Sequence, residues 1–190
     1  MRRERNFIGP AGMGGMVGLW GASSLVQSVQ YGTISLTTTS NTATITLVDT
    51  TRSFVVFLGA FTADTSAVGA RSWPSVVLTN ATTVTASTDN MFGTTDVGYL
   101  VIQFMPGIIK RIQVVNSLNN NGSTGTAVAM SEVNLAKTLI QWSCLQMTAN
   151  SYLNYIEGMK ITVTSSTSLL FQNGYTGGSP RLYALIVEFF

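Results

Sequence analysis

The fold class follows from two stretches that alternate strictly between polar and apolar residues, Thr33-Ile34-Ser35-Leu36-Thr37 and Ala43-Thr44-Ile45-Thr46-Leu47. Strict alternation places successive side chains on opposite faces, as in a half-buried β-strand. The two apolar residues of each stretch therefore share one face. Ser40-Asn41 lies between the stretches and favours a turn. We predict two β-strands joined as a hairpin.

The β character continues along the chain. Residues Ser53 to Thr62 are nearly continuously apolar, which is typical of a strand covered on both faces. Asn80-Ala81 separates two further short stretches and predicts a second hairpin, and Val97 to Phe104 forms a last apolar strand. Short strands with short turns are typical of a β-sandwich or small barrel. We expect core positions at Phe54, Val56, Leu58 and, in the second half, Leu139.

Four segments of the first half recur in the same order in the second half. The pairs are Val26–Gln30 with Ile109–Gln113, Arg52–Val56 with Lys137–Gln141, Val76–Val84 with Ile161–Leu169, and Val101–Phe104 with Ile186–Phe189. Three pairs share an offset of about 85 residues, and the first differs from it by about two. Met105-Pro106-Gly107 marks a joint, because proline interrupts a ladder and glycine permits a sharp turn. We predict two tandem, internally duplicated β-sandwich-like units, at residues 25–106 and 107–190.

Residues 1–24 differ in composition, with glycines interspersed among Met, Phe and Trp. A secretory signal is disfavoured because Pro10 and the glycines break the apolar run and Glu4 lies in the basic cluster. The run is also too short and interrupted to span a membrane. Gly12-Met13-Gly14 lacks the strand and helix that a phosphate-binding loop needs. We interpret the segment as an extended arm that becomes ordered against neighbouring subunits, with contact residues Arg2, Arg3, Arg5, Phe7, Met13, Met16 and Trp20.

The basic residues of the arm have two readings: a solvated terminus, or an anchor to an acidic neighbour or nucleic acid. The net charge of the whole chain is only +2, which makes nucleic acid an unlikely partner. Charged residues make up 9%, against about 25% in ordinary soluble domains. With 45% hydrophobic residues the chain is expected to fold rather than remain disordered. A surface of hydroxyls and amides repels its copies weakly, which favours a permanent assembly.

The sequence offers little for catalysis. It contains no histidine, the commonest general base and metal ligand. The single cysteine, Cys144, lies in a strand-like run and is expected to be a buried, inert thiol. The carboxylates are scattered and match no calcium loop. We expect no enzyme activity, metal or cofactor; Trp73, Asn121 and Tyr175, in predicted loops, are candidates for contacts with sugars or other subunits.

Four motifs carry a resemblance to a known group of proteins: V-Q-S-V-Q-Y-G-T at Val26–Thr33, V-D-T-T-R-S-F-V-V-F-L-G at Val48–Gly59, V-V-L-T-N-A-T-T-V-T-A at Val76–Ala86, and V-G-Y-L-V-I-Q-F at Val97–Phe104. In this order they resemble a module of small tailed-bacteriophage proteins, the β-sandwich virion components found among neck, tail and decoration proteins. The resemblance covers the first unit and, more loosely, the second, but not the arm.

The resemblance implies a structural protein located in the virion, which assembles with copies of itself and with other virion proteins. It is compatible with a neck, collar or tail-attachment role and with capsid decoration. The alternative is a carbohydrate-binding or adhesive module that uses the polar loops to bind a receptor glycan. No membrane partner is expected in either case.

Overall fold

The computed structural model describes residues 25–62, 74–88, 93–118, 124–146, 160–172 and 181–190, with the side chains of 118 and 143–146 excepted. These segments are all-β, as predicted, apart from a 3-10 turn at Leu135–Lys137 and a 3-10 residue at Thr124. The strands are β1 (Val26–Leu36), β2 (Ser40–Thr44), β3 (Ser53–Thr62), β4 (Ser75–Asn80), β5 (Thr83–Ser87), β6 (Thr95–Phe104), β7 (Ile109–Leu118), β8 (Thr126–Ala129), β9 (Thr138–Gln146), β10 (Lys160–Ser165), β11 (Ser168–Gln172) and β12 (Arg181–Phe189).

The first half of the chain forms a β-sandwich. Sheet I has the strand order β1-β6-β3 and sheet II the order β2-β5-β4, and all pairs are antiparallel. Alternate residues of both sheets fill one core, whose members are Ile34, Leu36, Ile45, Val48, Val55, Val76, Val84, Ala86, Val97, Tyr99 and Val101. The first strand pairs with the sixth and the second with the fifth. This order results when a long hairpin is rolled up, as in a jelly roll.

The jelly-roll order corrects the first predicted hairpin. The strands β1 and β2 belong to different sheets and do not pair with each other. β2 ends at Thr44, and Leu47 is exposed while Ile45 and Val48 are buried. The alternating pattern identified buried faces correctly for β1, but it carries no information about which strand lies alongside. The second predicted hairpin, β4–β5, is confirmed, with the Asn80 side chain accepting a hydrogen bond from the Thr82 amide at 2.9 Å.

The second half has the same architecture as the first. Sheet III has the order β7-β12-β9 and sheet IV the order β8-β11-β10. Their shared core consists of Met130, Val133, Leu169, Phe171, Leu182, Ala184 and Ile186. The irregularities recur as well: β3 bulges between Phe57 and Gly59 against β6, and β9 bulges between Trp142 and Cys144 against β12. The bulge places Gly59 at φ +110°, where a side chain would be strained.

A glutamine side chain makes the same double contact in both halves. Gln30 donates from Nε2 to the Thr46 carbonyl at 3.0 Å and accepts from the Thr46 amide at 2.7 Å. Gln113 makes the equivalent pair with Ser131, at 3.1 and 2.7 Å. Each pair of hydrogen bonds uses the backbone amide and carbonyl of a residue just beyond the end of a strand. It holds that residue against the first strand of the same sandwich. Strand order, register and this contact are common to both halves; their origin by internal duplication stays a prediction.

The two sandwiches pack together through the outer faces of sheets I and III, a contact that we call the junction. Phe54, Ile109, Leu185 and Val187 are buried there, surrounded by the partly buried Val56, Ile102, Phe104, Ile108, Ile112 and Phe189. The Phe104 ring is stacked at 5.8 Å from Phe54 and lies edge-on at 6.1 Å from Phe189. The start of β3 is therefore covered on both faces, as its apolar sequence predicts.

The junction also corrects the expected core. Phe54 is buried, but between the sandwiches rather than within one, and Val56 is partly buried beside it. Leu58 is 58% exposed because it is the extra residue of the β3 bulge. Leu139, on the edge strand β9, is 43% exposed although β9 contacts β4 and β3 of the first sandwich. Neither leucine is a core residue.

Two phenylalanines of β3 test how much the junction contributes to the stability of the fold. Phe54 is 5% exposed and Phe61 is 70% exposed. We expect Phe54→Ala to lower the free energy of unfolding by about 3–5 kcal/mol through lost burial and cavity formation. Phe61→Ala, the matched control, should change it by less than about 0.5 kcal/mol. Urea unfolding of both variants makes the comparison, and equal midpoints would contradict a stabilising junction.

Candidate interaction surface

The residues predicted to make functional contacts lie outside the described residues. This holds for the arm residues Arg2, Arg3, Arg5, Phe7, Met13, Met16 and Trp20, and for Trp73, Asn121 and Tyr175. The point where the arm joins the fold is described. The Leu25 carbonyl accepts a hydrogen bond from the Met105 amide at 2.9 Å, beside the turn that links the two sandwiches. A segment that leaves the fold at Leu25 thus starts close to the junction.

The outer face of sheet I is only partly covered by the junction. Its β3 and β6 residues contact the second sandwich, whereas Val29 and Tyr31 on β1 are 51% and 80% exposed. Tyr31 lies opposite Leu100 in the ladder, and Val29 lies opposite Ile102. Side chains of cross-strand partners share a face. We call the exposed group Val29, Tyr31 and the half-buried Leu100 the β1-side face.

The second sandwich also exposes large apolar side chains. Its edge strand β9 contacts β4 and β3 of the first sandwich, yet Leu139 on β9 is 43% exposed. Leu135, just before β9, and Val163, on the edge strand β10, are 46% and 41% exposed. Both sandwiches therefore expose large apolar side chains to water.

A partly open cleft of about 220 Å³ lies at the junction. Its walls are mainly apolar and include Phe54, Leu78, Ile112 and Leu185. Ser53 also lines it, and its buried hydroxyl has no hydrogen-bond partner. The two sandwiches therefore do not close completely along this side of the junction.

Polar side chains form a group of hydrogen bonds at the end of the first sandwich that lies near the junction. Arg52 donates from Nε to the Asp49 carboxylate at 2.9 Å and from Nη1 to the Phe104 carbonyl at 2.5 Å, and it also contacts the Gln27 side chain. The Asp49 carboxylate accepts from the Thr51 hydroxyl at 2.6 Å and from the Thr51 amide at 2.9 Å. The Thr51 hydroxyl, followed by Arg52, lowers the pKa of Asp49 to about 2. These contacts fix a turn at the start of β3.

The matching place in the second sandwich holds a buried charge. Glu188 is 1% exposed and accepts hydrogen bonds from Lys110 Nζ at 2.9 Å and from the Asn134 amide at 3.0 Å. These bonds, with Lys110 first, lower the pKa of the Glu188 carboxyl below its ordinary value although burial opposes the shift. In the first sandwich the neutral pair Gln27 and Gln103 occupies these positions, 3.2 Å apart. The carboxylate therefore replaces an amide in a structural contact.

The described part of the chain contains no group of three or more His, Cys, Asp and Glu side chains placed to hold a metal ion. Within the same residues, no helix is long and apolar enough to cross a bilayer. No protein-family model, curated protein or solved structure gives a significant match to this chain.

Sequence reasoning did not identify the β1-side face, although β1 contains a signal for it. Ile34 and Leu36 are even-numbered and face the core, whereas Val29 and Tyr31 are odd-numbered. Apolar residues thus change from one face of the strand to the other within β1. A change of this kind indicates a strand that is apolar on both faces.

Asp49 gives a prediction for acid stability. A carboxyl whose pKa falls from 3.8 to about 2 on folding stabilises the fold fully above pH 3.8, and this contribution is lost as the pH falls towards 2. Asp49→Asn should remove that contribution while keeping the turn, because Asn134 caps the matching turn by accepting from the Ala136 amide at 3.0 Å. We expect the urea midpoints of the two proteins to converge between pH 4 and pH 2. A constant difference would contradict the assignment.

Proposed function

We propose that this chain is a structural protein of a tailed-bacteriophage virion, forming a homo-oligomeric part of the neck, collar or tail attachment, or of the capsid decoration. The observation that carries the proposal is the exposure of large apolar side chains on the outer faces of both sheets I and III. The resemblance of four segments to the β-sandwich module of small phage proteins supports the same role.

The size of the exposed apolar surface favours a permanent assembly. Tyr31 and Phe61 are 80% and 70% exposed on sheet I. Since an aromatic side chain buries about 150–250 Å² when covered, the two rings alone offer roughly 300 Å². A stable protein interface buries about 800 Å² on each partner. Leu58 and Val29 are also more than half exposed on the strands of sheet I, and they add to the apolar surface that such an interface would bury. Sparse charge, at 9% of residues, keeps the repulsion between copies low.

The proposed mechanism is mechanical. Two sandwiches joined through an apolar junction give a stiff body, and the arm at residues 1–24 binds a neighbouring subunit. We also propose that the two halves arose by internal duplication, which the repeated register, bulges and glutamine contacts support. A duplicated unit doubles the number of similar surfaces on one chain, which suits a particle component.

Copurification is the direct test of the proposed role. A virion protein should be present in stoichiometric amounts in purified phage particles and should resist removal by salt. The adhesive alternative instead requires glycan binding by the isolated protein, which a glycan array measures. Absence from particles together with specific glycan binding would replace the proposal by the alternative.

The contribution of the arm gives a separate prediction. A segment this short cannot offset about 1–2 kcal/mol of backbone entropy per residue by itself, so its apolar residues need a partner. A chain that starts at Leu25 retains every described strand. It should keep the β circular-dichroism spectrum and the melting temperature of the full chain but fail to enter particles.

The matched control keeps the length of the arm and removes its apolar contacts, by changing Phe7, Met13, Met16 and Trp20 to serine. It should fail in the same way as the shortened chain. Normal incorporation of either protein would exclude the arm from assembly. Unfolding of the shortened chain would show that the arm belongs to a core instead.

A further inference from the structure

The link between the two sandwiches is a single tight turn. It consists of Met105, Pro106, Gly107 and Ile108, and the Ile108 amide donates to the Met105 carbonyl at 3.4 Å. This is long for a hydrogen bond from an amide, which usually measures about 2.7–3.2 Å. Gly107 has φ +80°, and a residue of this conformation after a proline is typical of a type II turn. The chain therefore turns between β6 and β7 only while Gly107 keeps a left-handed conformation.

The residues on either side of this turn are fixed to different sandwiches. The Met105 amide donates to the Leu25 carbonyl at 2.9 Å in the first sandwich. The Ile108 carbonyl accepts from the Phe190 amide at 3.3 Å in the second. Pro106 and Gly107, both exposed, are therefore the hinge between the sandwiches. A Cβ added at Gly107 would meet nothing within 4 Å, so only the backbone conformation calls for glycine there.

The junction that forms across this short hinge is incompletely closed. Phe54 and Leu185 are buried in it, yet both also line the partly open cleft. Ile112 and Val114 line the cleft from β7, the strand that directly follows the turn. A hinge of two residues limits how closely the two sandwiches of one chain can approach each other. The same two faces, when they belong to different chains, are free of that limit.

We propose that two copies exchange their second sandwiches, so that the first sandwich of each chain makes the junction with the second sandwich of the other chain. When the turn at Pro106 and Gly107 opens, β6 and β7 run on as one extended segment, and the junction contacts form again between chains. Exchange of an identical element is a low-cost route to a dimer, because it needs no new interface. The inference rests on the proposed homo-oligomer and names the contact through which it forms.

The partner is a second copy because this chain carries both of the faces that the junction fits together. Phe104 stacks on Phe54 of its own sandwich and lies edge-on to Phe189 of the other. The second sandwich of another copy presents the same Phe189 to this pair of rings. Sparse charge, at 9% of residues, opposes the approach of two copies only weakly. Short hinges favour exchange, whereas longer ones favour the closed monomer.

Two hinge variants of the full chain test the inference in sedimentation velocity after refolding from urea. Gly107→Ala strains the closed turn but not the open hinge, because alanine is disfavoured only at positive φ. It should therefore tighten dimerisation by at least about fivefold. Insertion of Gly-Ser-Gly-Ser after Gly107 relaxes the closed form, and this chain should be monomeric at concentrations at which the unchanged chain is a dimer.

Gly59→Ala is the matched control for backbone strain. Gly59 has φ +110°, and a Cβ added there would also meet nothing within 4 Å, but it lies in β3 and outside the hinge. The closed and the exchanged forms contain the same β3. The variant should lower the melting temperature and leave the dimerisation constant unchanged.

A proximity measurement distinguishes exchange from a contact between closed chains. The strands β4 and β9 contact each other across the junction, and Thr79 on β4 and Leu135, just before β9, are exposed. Thr79→Cys and Leu135→Cys, in a chain with Cys144→Ser, carry a donor and an acceptor dye. When this chain is refolded with a large excess of unlabelled chain, energy transfer should fall in the dimer, because the two dyes then lie in different junctions.

Circular dichroism and melting temperatures show whether each variant folds. The proposal is overturned if the unchanged chain is monomeric, if Gly107→Ala does not tighten dimerisation, if the chain with the insertion dimerises as the unchanged chain does, or if the dimer retains the energy transfer of the monomer. An exchanged dimer that is missing from particles refutes the virion role and leaves the exchange intact. A monomer that copurifies with particles does the reverse.

Discussion

The contact between the outer faces of sheets I and III is the constraint on which the rest of the fold depends. Sheets I and III have only three strands each and carry apolar residues on both faces. Within its own sandwich, each of these sheets has only one face covered. Phe104 lies at the centre of the contact, against Phe54 of its own sheet and Phe189 of the other. Small domains bury a limited fraction of their surface. A cluster shared by two of them adds apolar burial that neither could supply, so the two sandwiches depend on each other for stability.

Local patterns in the sequence were sufficient for the strands but not for their neighbours. The apolar residues of β1 and the Asn80 turn identified the fold class and one hairpin, because both signals act over a few residues. The pairing of β1 with β6 joins residues far apart in sequence, so no local pattern specifies it. The core prediction for Leu58 is wrong because a bulge moves this residue out of register, and bulges leave no reliable mark in an apolar sequence.

The surface was harder to predict than the core, since an apolar side chain has the same sequence signature in either place. Phe54 and Leu139 look equivalent in sequence and in register, yet Phe54 is 5% exposed and Leu139 is 43% exposed. The polar contacts show a similar limit. Gln27 with Gln103, and Lys110 with Glu188, fill the same structural position with a neutral and a charged pair. Their equivalence depends on the register between strands far apart in sequence, which no local pattern specifies.

A tandem chain changes the energetics of the contact between its two sandwiches. When two sandwiches are linked covalently, the contact between them forms within one molecule, at an effective concentration far above that of free subunits. Such a contact can form even where its packing is incomplete, which fits a junction with a partly open cleft of about 220 Å³. The Leu25 carbonyl accepts a hydrogen bond from the Met105 amide at 2.9 Å, so the first strand is anchored beside the link between the sandwiches. The link and the junction therefore act together to hold the two sandwiches in contact.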